Sequence, residues 1–183
     1  MMNRTKEVAE VSRECPATTV PYGEPTTIPA GERVHIVQTL GGSITVRTAF
    51  GVLLRVDGAD SDALGMEPPE RSVMLVGKGP FSMDQVTNAL QTVYDPEIPI
   101  SIVELGLIYR LDEVVDDDGR RTIEIDMTMT APGCGMGDVL CGDAERVVRA
   151  VPGVDDVVVN LVFDPPWDMS RMSDATRLEL GLL

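Results

Sequence analysis

The chain has 183 residues, 43% of them hydrophobic, and its 15 Lys and Arg against 30 Asp and Glu leave a formal charge of −15. That length makes one largish domain or two small ones, able to take roughly 70% of the unfolded surface out of water without a disulfide staple. The acidity excludes a nucleic-acid backbone or an anionic membrane as the main partner, since both require a basic face.

Residues 1–14 are charged and lack an apolar stretch, so no secretory signal is expected there. No run approaches 18 consecutive apolar residues, which removes a membrane span. Pro16, Pro21, Pro25 and Pro29 suggest an extended, edge-covering lead-in. Runs at 34–40, 44–49 and 52–57 are short and β-branched, separated by Gly41-Gly42 and Phe50-Gly51, so two-residue turns and a small β meander are predicted. Met66-Glu67-Pro68-Pro69-Glu70 reads as a linker, and the chain changes character near Gly77-Lys78-Gly79-Pro80. We therefore divide it into an N-terminal β-rich region, 1–76, and a second domain, 77–183.

The second region opens on a helix. Ser82 and Gln85 have capping-box spacing, Phe81 and Val86 occupy staple positions, and Met83, Val86, Leu90 and Val93 repeat at helical spacing up to Asp95-Pro96. An extended link at 98–101 leads to a strand from about 105 to 114. The turn Asp118-Gly119 then leads to 122–130, where Ile123, Ile125, Met127 and Met129 alternate with polar residues, as in a sheet with one buried face. Leu140, Ala144, Val147, Val148 and Val151 form one helical stripe, with Glu145 and Arg149 paired on the wet side. A third strand at 157–163 ends at Asp164-Pro165-Pro166, and Ser173 can cap a short last helix. The predicted fold class is α/β in the α+β sense: a β meander, then an α-β-β-α-β-α domain with a three-stranded sheet covered by helices.

The most informative residue is Cys134, in Ala131-Pro132-Gly133-Cys134-Gly135-Met136-Gly137-Asp138. Alternating glycines leave the backbone bare, and the thiol is expected at a helix N-terminus, where the dipole favours the thiolate that attacks electrophiles and binds soft metals. The bland alternative is a buried small hydrophobe. A nucleotide-phosphate loop does not fit: Asp138 occupies the last glycine position of the dinucleotide fingerprint, no Gly-Lys-Ser/Thr follows, and Asp138 suits a helix N-cap.

Cys15, Cys134 and Cys141 form an odd set without a C-x-x-C pair, which argues against a zinc ribbon or a thioredoxin-type motif and fits a reducing cytoplasm. Cys141 lies seven residues after Cys134, roughly 10 Å along a full helix, too far for both sulfurs to reach one metal unless the loop closes the gap. It borders the apolar stripe, which favours burial. Cys15 becomes a further metal ligand only if the N-terminal arm folds back. One subunit thus offers one firm soft ligand where a stable cluster wants four, so a metal is shared with a second subunit or a client, or held transiently, and a homodimer is expected.

Asp95, Glu97 and Glu104 put three carboxylates on one rigid connection, but no His or Lys stands nearby to complete acid–base chemistry, so a structural turn is the better account. Asp116-Asp117-Asp118 lacks calcium-loop spacing and reads as a hairpin tip. His35, the single histidine, is far from Cys134 in sequence, which disfavours a Cys–His dyad. Trp167 is either a packing anchor or an exposed contact.

Asp95-Pro96-Glu97-Ile98-Pro99, Glu104-Leu105-Gly106-Leu107-Ile108-Tyr109, Thr128-Met129-Thr130-Ala131-Pro132-Gly133-Cys134 and Asp164-Pro165-Pro166-Trp167 resemble the signature of the PaaD-like (DUF59-type) iron–sulfur assembly domain. Front-half motifs, Arg13-Glu14-Cys15, Ile28-Pro29-x-Gly31, Gln38-x-Leu40-Gly41-Gly42 and Asp62-Ala63-Leu64-Gly65, extend the resemblance to the SufT-type accessory factors of the bacterial SUF system. The resemblance implies a non-enzymatic cytoplasmic factor with Cys134 as the reactive or cluster-ligating thiol. It implies a transient iron–sulfur cluster or iron as cargo, and the SUF assembly machinery and apo iron–sulfur clients as partners. Cys141 has no role in the shared pattern. Two other functions compete: a metal-free client-binding adaptor, and a thiol redox enzyme with Cys134 attacking and Cys141 resolving.

Overall fold

The computed structural model describes residues 8–68 and 79–182, so Pro69 and Glu70 of the expected linker, and Gly77 and Lys78 of the expected change of character, lie outside the described residues. The chain divides into two compact units, Met1–Arg71 with Pro96–Pro99, and Ser72–Asp95 with Ile100–Leu183. Its class is mixed α+β, with a sheet in each unit. Among the described residues no helix is long and apolar enough to cross a membrane.

The first unit is a six-stranded antiparallel sheet. Its strands are β1 (Val8–Glu10), β2 (Cys15–Val20), β3 (Pro25–Ile28), β4 (Arg33–Gln38), β5 (Ser43–Thr48) and β6 (Leu53–Asp57), ordered β1-β4-β5-β6-β2-β3. Alternation along β5 and β6 buries Ile44, Val46, Leu54 and Val56, and Val11, Ile28, Val34 and Leu64 complete one cluster. The proline-rich lead-in is thus three strands rather than an extended cover. Pro16 pairs with Thr27 of β3 at a point that β6, whose pairing with β2 starts at Thr18, does not reach; Pro25 opens an edge strand. At such places the ladder tolerates a missing N–H. The hairpin connections span 39–42 and 49–52, longer than the two-residue turns that the glycines suggested.

The second unit runs α1 (Met83–Leu90), β7 (Ile108–Val115), β8 (Arg121–Met127), α2 (Gly137–Arg149), β9 (Asp156–Leu161) and α3 (Asp174–Glu179). β7 pairs antiparallel with β8, and β8 pairs parallel with β9 across the α2 crossover. Ser82 precedes α1 and its N–H donates to Gln85 Oε1 at 3.0 Å, while Phe81 lies under the Arg121 guanidinium, 4.1 Å from centroid. The 3.6-residue stripe of α2 buries Leu140, Ala144, Val148 and, just past the helix, Val151.

Alternation in β8 sends Ile123, Ile125 and Met127 inward, all at 0% exposure, and Glu124 and Asp126 to the helix-free face. There Arg110 bridges Asp112, Glu124 and Asp126, an exposed ion network that contributes little to stability. The Asp116–Asp118 run is the β7–β8 tip: Asp116 Oδ1 accepts from the Asp118 and Arg120 amides at 3.0 and 2.8 Å.

The strand expected from 105 begins only at Ile108. Leu105 N–H donates to the Ser101 carbonyl and Leu107 N–H to the Ile102 carbonyl, and Gly106 at φ +68° closes this turn. The acidic connection is likewise a closed turn, with Asp95 N–H donating to the Ile100 carbonyl and Ile102 N–H to the Val93 carbonyl.

Candidate functional site: the Cys134 turn

The site grows from the end of β8. The chain continues past Met127 into buried Thr128 and Met129, then turns through 130–136 into α2. Both flanks of the strand end are held: Val162 N–H donates to the Met127 carbonyl at 2.8 Å, and Thr128 N–H to the Leu107 carbonyl at 2.8 Å. The Thr128 side chain is fully buried, and its Oγ1 has no hydrogen-bond partner among the described residues.

In the turn, Ala131, Pro132 and Gly133 are exposed and Cys134 is half-buried. Gly133 has φ +80°, a backbone region that a side chain would strain. Cys134 N–H donates to the Ala131 carbonyl, and the Cys134 carbonyl accepts from Gly137 N–H, both at 3.3 Å. The sulfur-bearing residue therefore stands immediately ahead of α2, whose first residue is Gly137 and whose N-cap is Met136. The positive end of the helix dipole is at this turn.

Two expectations change. Asp138 is not the cap: it lies in the first helical turn, because the helix starts one residue before it. The glycines also have separate reasons. Gly133 serves the backbone, whereas a Cβ on Gly137 would meet the movable end of the Leu161 side chain, 2.8 Å from its Cδ2.

The other two candidate ligands lie elsewhere. Cys141 sits on α2, half-buried, and burial, reinforced by the Asp138 carboxylate, pushes its thiol from 9.0 up to about 11. That shift works against its thiolate, the form that attacks a disulfide or sulfenic acid. Cys15 belongs to β2 in the other unit, at 0% exposure among the strand side chains, with its pKa raised first by burial. The N-terminal arm does not carry it as a loose ligand; it is a core residue. His35 is exposed on β4. Among the described residues, no group of three or more His, Cys, Asp or Glu could hold a metal ion. The residues present fit one thiolate contact to a soft metal and not a resident cluster.

Trp167 is a packing anchor. Its Nε1–H donates to the Leu105 carbonyl at 2.8 Å, while the Tyr109 hydroxyl donates to the Pro165 carbonyl at 2.9 Å and the Arg171 guanidinium lies 3.6 Å from the Tyr109 ring centroid. Sequence reasoning missed this clasp between 105–109 and 165–171. The one available signal was a large aromatic following Pro165-Pro166, which says nothing of where its N–H points.

Comparison with known proteins gives the family of this chain. The profile of the family described as "Iron-sulfur cluster assembly protein" matches residues 83–161, which include Cys134. A protein of Porphyromonas gingivalis named "Fe-S protein maturation auxiliary factor" is 43% identical over 100 residues, covering 55% of this chain and 91% of that protein. "Fe-S protein maturation auxiliary factor SufT" of Staphylococcus aureus is 41% identical over 49% of this chain and 98% of its own length. "Fe-S protein maturation auxiliary factor YitW" of Bacillus subtilis is 34% identical over 54% and 93%. Each alignment takes in about half of this chain and nearly all of the relative. With the Cys134 turn inside the matched span and such relatives matched almost end to end, the chain belongs to the iron-sulfur cluster assembly protein family.

Proposed function

We propose that this chain is a non-catalytic accessory factor in iron–sulfur cluster assembly or transfer, and that Cys134 is the thiol that meets the cluster or its iron. The observation that carries the reading is a partly exposed cysteine in an open turn immediately ahead of a helix, within the span that matches the family. We assign this role to the domain at 77–183, with 1–76 as a separate β-rich region, and place the factor in the cytoplasm.

The cluster is cargo. A cluster takes about four thiolate ligands, and one copy supplies a single suitable sulfur. The remaining ligands come from the SUF assembly machinery, an apo client or a second copy of this chain. A redox enzyme built on the Cys134–Cys141 pair is disfavoured, because a thiol raised to about 11 attacks slowly at neutral pH. The relatives, too, carry the names of maturation factors.

The test is anaerobic loading with iron and sulfide, followed by maturation of an apo client such as aconitase, for wild type, Cys134→Ser and Cys141→Ser. Loss of maturation with Cys134→Ser, and retention with Cys141→Ser, is expected. Full maturation by a folded Cys134→Ser protein would overturn the thiol assignment and favour a metal-free adaptor.

A further inference from the structure

We infer that Trp167 is a positioning residue for Cys134: acting through residues 105–109, it holds the strand end from which the cysteine turn springs. The inference rests on Cys134 being the working thiol, as proposed above, and gives a structural role toward that thiol to the segment that follows β9.

The strap that follows β9 starts at the site itself, since Val162 N–H grips the Met127 carbonyl on one flank of β8. On the other flank, Thr128 N–H is gripped by the Leu107 carbonyl. Leu107 belongs to the short turn 105–109, and the strap returns to clamp that turn from outside. Trp167 Nε1–H binds the Leu105 carbonyl, the Tyr109 hydroxyl binds the Pro165 carbonyl, and Arg171 stacks on the Tyr109 ring. Gly106 runs so close beneath Arg171 that a Cβ there would stand 2.5 Å from its carbonyl oxygen. The chain of contacts is therefore continuous: strap, clamped turn, last residues of β8, Cys134 turn.

The indole N–H is a donor without acceptor capacity, so removing it leaves the part-buried Leu105 carbonyl without its partner. An acceptor orphaned in this way shifts the population of the opened clamp by roughly tenfold. Opening frees the 105–109 turn, then the Leu107–Thr128 bond, and with it the half-buried thiol.

The experiment uses the full chain carrying Cys141→Ser, so that the alkylation rate with iodoacetamide reads Cys134, Cys15 being sealed in its core. Trp167→Phe keeps a ring and deletes the N–H. We expect Cys134 alkylation and Thr128 amide exchange both to quicken by roughly tenfold, while the amides of α1 exchange as in the parent. An unchanged alkylation rate overturns the inference, and so does a uniform rise that includes α1, which would mean a general loss of stability. Should Trp167→Phe not fold, the parent decides: Trp167 is the single tryptophan, and by reciprocal coupling complete alkylation of Cys134 shifts its emission to the red. An unmoved spectrum overturns the inference. These readouts involve no cluster, so a failure of the maturation assay and a failure of the clamp are seen separately.

Discussion

Substituting Gly106 by alanine tests how tightly the C-terminal strap is seated. Two costs add at this position. Gly106 has φ +68°, where a Cβ costs about 1–2 kcal/mol. The added Cβ would also lie 2.5 Å from the Arg171 carbonyl oxygen, and 2.8 Å from both its carbonyl carbon and its Cβ. These are mostly backbone atoms, so the strap must shift against the Trp167–Leu105 bond and the Tyr109–Arg171 stack. Overpacking of this kind costs about 1–3 kcal/mol, for a total of roughly 2–5 kcal/mol. Gly119, at φ +79° with nothing within 4 Å, isolates the backbone term, so Gly119→Ala should cost only about 1–2 kcal/mol. The difference between the variants, about 1–3 kcal/mol, is then the seating of the strap. Urea unfolding followed by Trp167 fluorescence measures it within the unit concerned. On heating, each kcal/mol corresponds to about 4–8 °C for a domain of this size. If Gly106→Ala destabilises no more than Gly119→Ala, the strap is not packed against residue 106 and the clamp argument fails with it.

Cys141 sets a pH dependence. Below pH 9.0 the folded and unfolded chains both keep the Cys141 proton, so it adds no slope. Between 9.0 and about 11 the unfolded chain sheds it first, so stability falls as pH rises; above that range both states are ionised and the slope disappears. Because the thiol is only half-buried, the loss should be about 1–2 kcal/mol, below the roughly 2.7 kcal/mol of the full shift. Denaturant titrations of wild type and Cys141→Ser at several pH values check this, with the alkaline decline reduced in the variant. Thr128→Val should leave stability unchanged or raise it by about 1 kcal/mol, because the methyl replaces a buried Oγ1 that has no partner among the described residues. Calorimetry decides, and a loss above about 1 kcal/mol would mean that the hydroxyl is satisfied after all.

Much of the second unit was legible because its signals are local. The Ser82–Gln85 spacing, the strict alternation through Ile123, Ile125 and Met127, and the α2 stripe each follow from a backbone period of 3.6 or 2. The position of Cys134 between strand and helix followed from the same periods. Pairing partners carry no such mark. Prolines at 16 and 25 suggested an extended lead-in, yet they sit within paired strands where the ladder tolerates a missing N–H, and only the strand order reveals that. Cys15 read as part of a disordered arm, a ligand only if that arm folded back, and is sealed in a core, since burial is a property of the neighbours that tertiary structure brings. The Leu161 side chain comes to rest against Gly137, a neighbour that no local period marks. Trp167 finds the Leu105 carbonyl across a far longer gap in sequence. Local propensity determined which segments coil or extend and where the thiol falls among them; which long-range atoms meet, and so what holds that thiol in place, was decided only when the sheet and strap closed.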